Sequence, residues 1–504
     1  MRVLISILLF NQLIFSANIL SNCIVAPDTR TFERFQFTFP EQIESEHFIV
    51  HFTTSNADSQ FVNEQWLNLQ CNFGYAQSVI ELAEYALAIF MEADWEMMPP
   101  DCDEGITDEE SPNHCNNFGG NALYDIYLAN DAVGLVAPEN PYPVEPYIGG
   151  FTSFMQVTPL GNEHTFVPDW SVHVIAHELH HAIQIRYGTS VSGEPGNYAY
   201  NGWLYEQTST YMENVIFPAS YHFLVMMGNC NITSPLTYPE ISIDSSVDIY
   251  QYRSALWQKF LVEAYGDSTI NRLIWEGFGL ETATGNPVNM FPIYESALQT
   301  VTDGVTTLGD AYQDYALWRY FTGSRSRPGE FFMQAASYCT ANLLAIEETS
   351  TTFPSEKGGA RLVKLLPYET NLLLASSAYD NLLVQHISFS EEDEILMSSI
   401  EVNGEESFFQ LYNPAGDNHA LLITSEYTAE PGEEIEFTLA NTVPFMEGDI
   451  TGDSMVNVQD IIVQINIILH QIDPTDYQWL AADLDENNVV DVLDVILLVN
   501  LILG

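Results

Sequence analysis

His177, Glu178 and His181 stand in the order H-E-x-x-H, with two imidazoles one helical turn apart and a carboxylate directly after the first. On a helix, residues i and i+4 share a face, so both rings can reach one ion, while Glu178 is displaced enough to hold a water instead. The chemistry that needs this set is metal-assisted hydrolysis: Zn²⁺ lowers the pKa of a water and the glutamate takes its proton. Val174, Ile175, Leu179, Ala182 and Ile183 cover much of the remaining surface, as on an active-site helix packed inside a domain. The same spacing also arises by chance on buried helices, so its surroundings decide.

A second helix is expected from Trp203 to Glu213, opened by the turn residues Asn201 and Gly202. Glu206 and Glu213 lie seven residues apart on one face, and either could complete the metal site. Glu206 is favoured because it is nearer the helix start; both could instead be solvated charges. A further helix from Tyr250 to Tyr265 carries Tyr252, and with less support Tyr250, as a hydroxyl to hold a developing oxyanion. A three-ligand site leaves its fourth position to water. His173 therefore reads as orienting a ligand or packing, and His180 as structural.

The elements that must position these groups form an α+β pattern, strands first and the metal-bearing helix afterwards. Strands are expected over Glu46 to Thr54, Ala122 to Ala129 and Gly149 to Val157, with His47 and His51 structural. Helical spacing covers Phe61 to about Met97 and Ala311 to Phe321. Pro168, Asp169 and Ser171 supply turn and capping chemistry ahead of the H-E-x-x-H helix. Ser350 to Gly359 reads as a linker, and short apolar segments between turn residues then predict a small β-sandwich over residues 360–441.

At the C-terminus Asp449, Thr451, Asp453, Asn457 and Asp460 recur as Asp483, Asp485, Asn487, Asp491 and Asp494, 34 residues later (449 to 483). Oxygen side chains thus fall at loop positions 1, 3, 5, 9 and 12 in both copies, with the carbonyls of Met455 and Val489 at position 7. This is a Ca²⁺-wrapping arrangement, and duplication speaks against chance. Apolar helices follow each loop, Ile461 to Leu469 and Val495 to Leu503, both too short to cross a bilayer.

Against 13 Lys and Arg stand 69 Asp and Glu, a formal net charge of −56, which excludes nucleic acid or an anionic membrane as the natural partner. Residues 1–22 read as a secretory signal peptide, so no transmembrane anchor is expected after cleavage. Leu20 to Cys23 approaches a lipoprotein processing site, but Asn22 stands where Gly or Ala is wanted. Cys102 and Cys115 bracket an acidic, turn-rich stretch that an exported chain would staple; the other pairings stay open.

The repeat resembles a type I dockerin over about Gly448 to Gly504, departing from it at Ser454 and Asn488, where Gly is common, and at Val458-Gln459 and Val492-Leu493, where hydroxyl residues are. That resemblance implies docking to a cohesin-like domain. The region from about Glu46 to Phe321 resembles the gluzincin metallopeptidases, specifically a secreted bacterial group. This implies a thermolysin-like site with His177, His181 and Glu206 on zinc and Glu178 as general base. It also implies an edge strand, around Gly150 to Val157, that pairs with an extended peptide. The expectation is a multidomain protein: an α+β zincin-like metallopeptidase domain over residues 27–345, the β-sandwich, and a small α-helical dockerin with paired calcium loops over residues 447–504. The expected activity is zinc endopeptidase on protein or peptide substrates. The competing class is an inactive metalloprotease-like binding protein of an extracellular, polysaccharide-degrading assembly.

Overall fold

The computed structural model describes residues 34–62, 65–102, 114–115, 120–129, 134–188, 201–218, 221–282, 288–345, 351–365, 368–389, 394–413, 418–426, 434–442, 446–451, 455–472, 474, 476–485, 487 and 489–503. The expected signal peptide, Cys23, Asp453, Ser454 and Asn488 lie outside the described residues. The chain divides into two compact units, the first formed by the described residues of Met1–Asn342, Glu356–Ala360 and Thr424–Glu433.

The first unit runs β1 (Glu41–Glu44), β2 (Phe48–Phe52), β3 (Ser59–Val62), β4 (Gln65–Asn68), α1 (Phe73–Glu92), β5 (Tyr124–Tyr127), β6 (Gly134–Pro141) and β7 (Phe151–Val157). Five of these strands form one sheet in the order β1-β2-β5-β7-β6. Its middle strands β2, β5 and β7 are parallel, and β1 and β6 run antiparallel at the two edges. β5 is buried throughout and β7 nearly so, as strands covered on both faces are, which is why their sequences read as continuous runs.

The helix expected from Phe61 is corrected: residues 59–68 form the β3–β4 hairpin and the helix starts at Phe73. Phe61 faces Trp66 across the hairpin with ring centroids 5.3 Å apart, and both are exposed, at 58% and 71%. The apolar spacing that looked helical is a cross-strand aromatic pair. Asn72 then caps α1, its side chain accepting from the Gly74 N–H.

Helices follow: α2 (Val172–Tyr187), α3 (Gly202–Ile216), α4 (Tyr221–Gly228), α5 (Tyr250–Arg253), α6 (Ala255–Tyr265), α7 (Ile270–Thr282), α8 (Met290–Val301) and α9 (Leu308–Tyr320). α2 is buried from Val174 through Ile185 and α3 from Trp203 through Asn214, so both are interior helices. Ser171 and Asn201 occupy their N-cap positions without a side-chain cap bond, so the expected capping is positional only. The helix expected over Tyr250 to Tyr265 is broken at Ser254 and ends at Gly266 in the left-handed region. Trp257 anchors the helical core, its ring against Phe260, Tyr312 and Tyr315. Disulfides join Cys102 to Cys115 and Cys230 to Cys339.

The second unit holds two sheets, ordered β13-β12-β15-β10-β8 and β14-β11-β16-β9. Their strands are β8 (Leu344–Ala345), β9 (Thr351–Glu356), β10 (Ala360–Lys364), β11 (Tyr368–Ala375), β12 (Leu382–Phe389), β13 (Leu396–Ile400), β14 (Glu406–Asn413), β15 (Asn418–Ser425) and β16 (Glu434–Thr442). Val363, Val384 and Leu421 from one sheet share a core with Leu372, Phe409 and Phe437 from the other. The expected linker at Ser350 to Gly359 is corrected, since β9 occupies most of it. β9 is an edge strand, where a proline such as Pro354 is tolerated. Beyond the sheets come α10 (Val458–Ile468), α11 (Asp476–Ala482) and α12 (Val492–Leu503), around a core of Ile450, Ile467, Ala481, Ala482, Val490 and Leu498. The architecture is mixed α and β, and no described helix is long and apolar enough to cross a membrane.

Candidate metal centre

α2 and α3 bring His177, His181 and Glu206 together, one donor atom of each lying within 4.8 Å of the others. Glu206 Oε2 is 3.1 Å from His177 Nε2 and 3.4 Å from His181 Nε2. A tetrahedral zinc with ordinary bond lengths separates its donors by about 3.3 Å, which both glutamate–imidazole separations match. All three residues are buried, and His181 Nε2 makes no hydrogen bond. A bare imidazole nitrogen in the interior is costly unless something such as a cation takes its lone pair.

Each ring is held at its other nitrogen. His177 Nδ1 is 2.7 Å from Glu213 Oε1, and His181 Nδ1 is 2.7 Å from Gln184 Oε1 and 3.1 Å from Ser209 Oγ. Gln184 is itself fixed by donating from Nε2 to the Tyr205 carbonyl at 3.1 Å. Locking Nδ1 turns both Nε2 atoms toward one point. Glu213, the alternative third ligand, lies two turns further along α3 and meets the far side of the His177 ring instead. Sequence spacing put both glutamates on one face but could not tell which ring nitrogen each would meet.

Burial pushes the Glu206 carboxyl up, but the charges and hydrogen bonds of His181 and His177 outweigh it and hold it at about 2. Burial pushes His181 below its ordinary value of 6.5, only partly offset by Glu206. Protons compete with metal only below a ligand's own pKa, so metal affinity falls as pH falls, and with His181 depressed that loss begins below 6.5. Zinc is expected to be retained as pH is lowered through 6.5, measured as metal content after dialysis at graded pH; loss of half the metal above 6.5 contradicts it.

Glu178, the expected base, is buried against Gly134, the first residue of β6. A Cβ on Gly134 would stand 2.5 Å from Glu178 Cγ and 2.7 Å from Oε1, closer than such atoms approach. Gly134 therefore sets where the carboxylate sits, a role for which the sequence offered only a glycine. Gly134→Ala is expected to lower kcat/KM by about 10²-fold through displacement of Glu178, with zinc content unchanged. Zinc lost in parallel would instead mean that the whole helix had moved.

β6 also corrects the expected peptide-pairing strand. Phe151–Val157 is interior, between β5 and β6, and the edge beside α2 is β6. Pattern alone reveals a strand but not its place in the sheet.

Tyr252 packs its ring against His177, centroids 6.0 Å apart and 23° from parallel. Its short helix follows Asp248 and Ile249, both left-handed at φ 49° and 56°, an unusual state for a β-branched residue. Arg253 Nη1 secures that turn by donating to the carbonyls of Thr233 (2.7 Å) and Asp248 (2.9 Å). Tyr250 is fully buried and donates to the Ile241 carbonyl at 3.3 Å, away from the metal ligands. His180 stacks on Phe90, meets Trp95 edge-on and pairs with Ser209 Oγ. His47 pairs with Glu84 and His51 with Asp125, as structural histidines do.

In the C-terminal repeat, Asp483, Asp485 and Asp494 converge within 4.8 Å. Asp494 is fully buried and accepts from the N–H groups of Leu484 (2.9 Å) and Asp491 (2.8 Å). In the first copy, Asp460 is likewise buried and accepts from Thr451 and Asn457, both at 2.8 Å. Asp449 is buried, Thr451 Oγ1 donates to it at 3.2 Å, and Asn457 Nδ2 donates to the Met455 carbonyl. In the second copy the Asn487 side chain accepts from Val489 N and Asp491 from Leu493 N. Both loops are thus organised around a buried carboxylate at position 12.

No curated protein matches the chain. Among solved structures, the pre-peptidase C-terminal domain of a collagenase from Bacillus anthracis aligns with 20% of this chain and 97% of its own, at 13% identity and a TM-score of 0.14. The stretch that contains His177, Glu178, His181, Glu206 and Tyr252, residues 165–294, matches a family of unknown function, DUF6055.

Proposed function

We propose that the chain is an exported zinc endopeptidase of the zincin kind, carried by a calcium-folded, dockerin-like module to a cohesin-like partner. The observation that supports this most is the meeting of His177 Nε2 and His181 Nε2 on one oxygen of Glu206, at 3.1 and 3.4 Å, with Glu178 in the same buried helix. Zinc held by those three residues would supply Lewis acidity, acidifying a water and polarising a peptide carbonyl. Glu178 accepts the water proton on a carboxylate oxygen and passes it to the leaving amine nitrogen. Tyr252 donates its hydroxyl to the carbonyl oxygen as charge develops there. The outer backbone groups of β6 pair with the substrate in extended form, which orients the scissile bond beside Glu178. Two disulfides and a charge of −56 favour an extracellular setting. Exposed Ile462 and Ile465 on α10, Leu469 directly after it, and Ile496, Leu497 and Leu501 on α12 favour a protein partner for the repeat.

The reading is tested by metal analysis. Glu206→Ala is expected to abolish zinc binding at the His177–His181 site, whereas Glu213→Ala keeps the metal at that site but weakens it there by about 10- to 100-fold, as removal of a ring-orienting carboxylate does. Zinc content in Glu206→Ala equal to that of the unsubstituted protein, or no zinc in the unsubstituted protein, overturns the reading.

A further inference from the structure

Glu213 does not end at His177. Its second oxygen, Oε2, lies 2.5 Å from His222 Nδ1 on α4, and the His222 ring stacks on His173 with centroids 4.1 Å apart and planes 17° from parallel. His173, on α2 one turn before His177, has no hydrogen-bonding partner for either ring nitrogen among the described residues. Donor atoms of His173, Glu213 and His222 all lie within 4.8 Å of one another.

We propose that His173, Glu213 and His222 form a second site for a divalent transition metal, joined to the first through the two oxygens of Glu213. The donor set, two imidazoles and one carboxylate, is the kind that borderline cations such as zinc prefer and that calcium does not. Glu213 can serve both sites because Oε1 accepts from His177 while Oε2 remains for a cation. His222 Nδ1 and Glu213 Oε2, 2.5 Å apart, need to separate by about 0.8 Å to reach the donor spacing of a tetrahedral ion. α4 is a short helix, and His222 is 26% exposed, which leaves an entry path and room for water as the fourth ligand. A cation on Oε2 draws on the electron density that Oε1 lends to His177, so occupancy of either site alters affinity at the other. The site shares Glu213 with the proposed catalytic centre but uses none of its ligands, so the two readings stand or fall separately.

The test is metal stoichiometry of the full chain with its calcium sites saturated, by titration of metal-free protein with Zn²⁺ and by Co²⁺ absorption spectra. The unsubstituted protein is expected to take up about two equivalents. His222→Ala and, independently, His173→Gln should each take up about one, as should His181→Ala; circular dichroism checks that each variant is folded. A single equivalent that His181→Ala removes and both His222→Ala and His173→Gln leave intact would overturn the second site. The group would then be a hydrogen-bonded relay only, with the peptidase reading untouched. A single equivalent lost in His222→Ala and kept in His181→Ala would support the second site and break the peptidase reading. No uptake at all overturns both.

Discussion

Glu178→Gln is expected to lower hydrolysis of an unstructured protein substrate such as casein by about 10²- to 10⁴-fold while zinc content and thermal unfolding stay unchanged. Glutamine matches glutamate in volume, which matters because the side chain is buried and packed on Gly134. It keeps one acceptor oxygen but cannot carry a proton away from water, so the substitution removes the base and little else. kcat should fall with KM nearly constant, since β6 and not Glu178 would hold the peptide. Unchanged hydrolysis would exclude Glu178 as the base. A zinc-loaded protein that hydrolyses nothing before substitution would instead leave the inactive, binding-protein class as the better account.

The meeting of the two rings was legible because helical period alone puts His177 and His181 on one face. Glu206 was favoured only by position in its helix, and what separates it from Glu213 is where α3 crosses α2: Oε2 of one glutamate meets both Nε2 atoms, and the other meets Nδ1. Such a distinction is tertiary and leaves no trace in spacing. β6 escaped because Gly134 to Pro141 contains two prolines, which argue against a strand, yet an edge strand tolerates them. His222 escaped because nothing nearby in sequence marks it; its partners come from α2 and α3. The convergence of Asp483, Asp485 and Asp494 was foreshadowed by the repeat, since they are close together in sequence.

Calcium removal should have the largest effect on stability. Asp449, Asp460 and Asp494 are buried, and Asp483 and Asp485 crowd Asp494 within 4.8 Å. Carboxylates gathered this way repel one another, and the backbone N–H groups they accept from offset only part of the cost of burial. A bound cation would supply the missing charge, and because α10 and α12 start directly from the loops, helix and ion would order together. With free calcium at a thousandfold excess over its dissociation constant, each site adds about 4 kcal/mol to the folded state. Thermal unfolding of the full chain, followed by far-ultraviolet circular dichroism, should therefore show a transition that chelation moves sharply downward and calcium restores. The apolar core around Ile450, Ile467 and Leu498 is too small to carry the segment unaided. Asp494→Ala should reproduce much of the loss even at saturating calcium, because it removes both a ligand and the acceptor for Leu484 and Asp491. Superimposable melting curves with and without calcium would show that these loops fold without an ion.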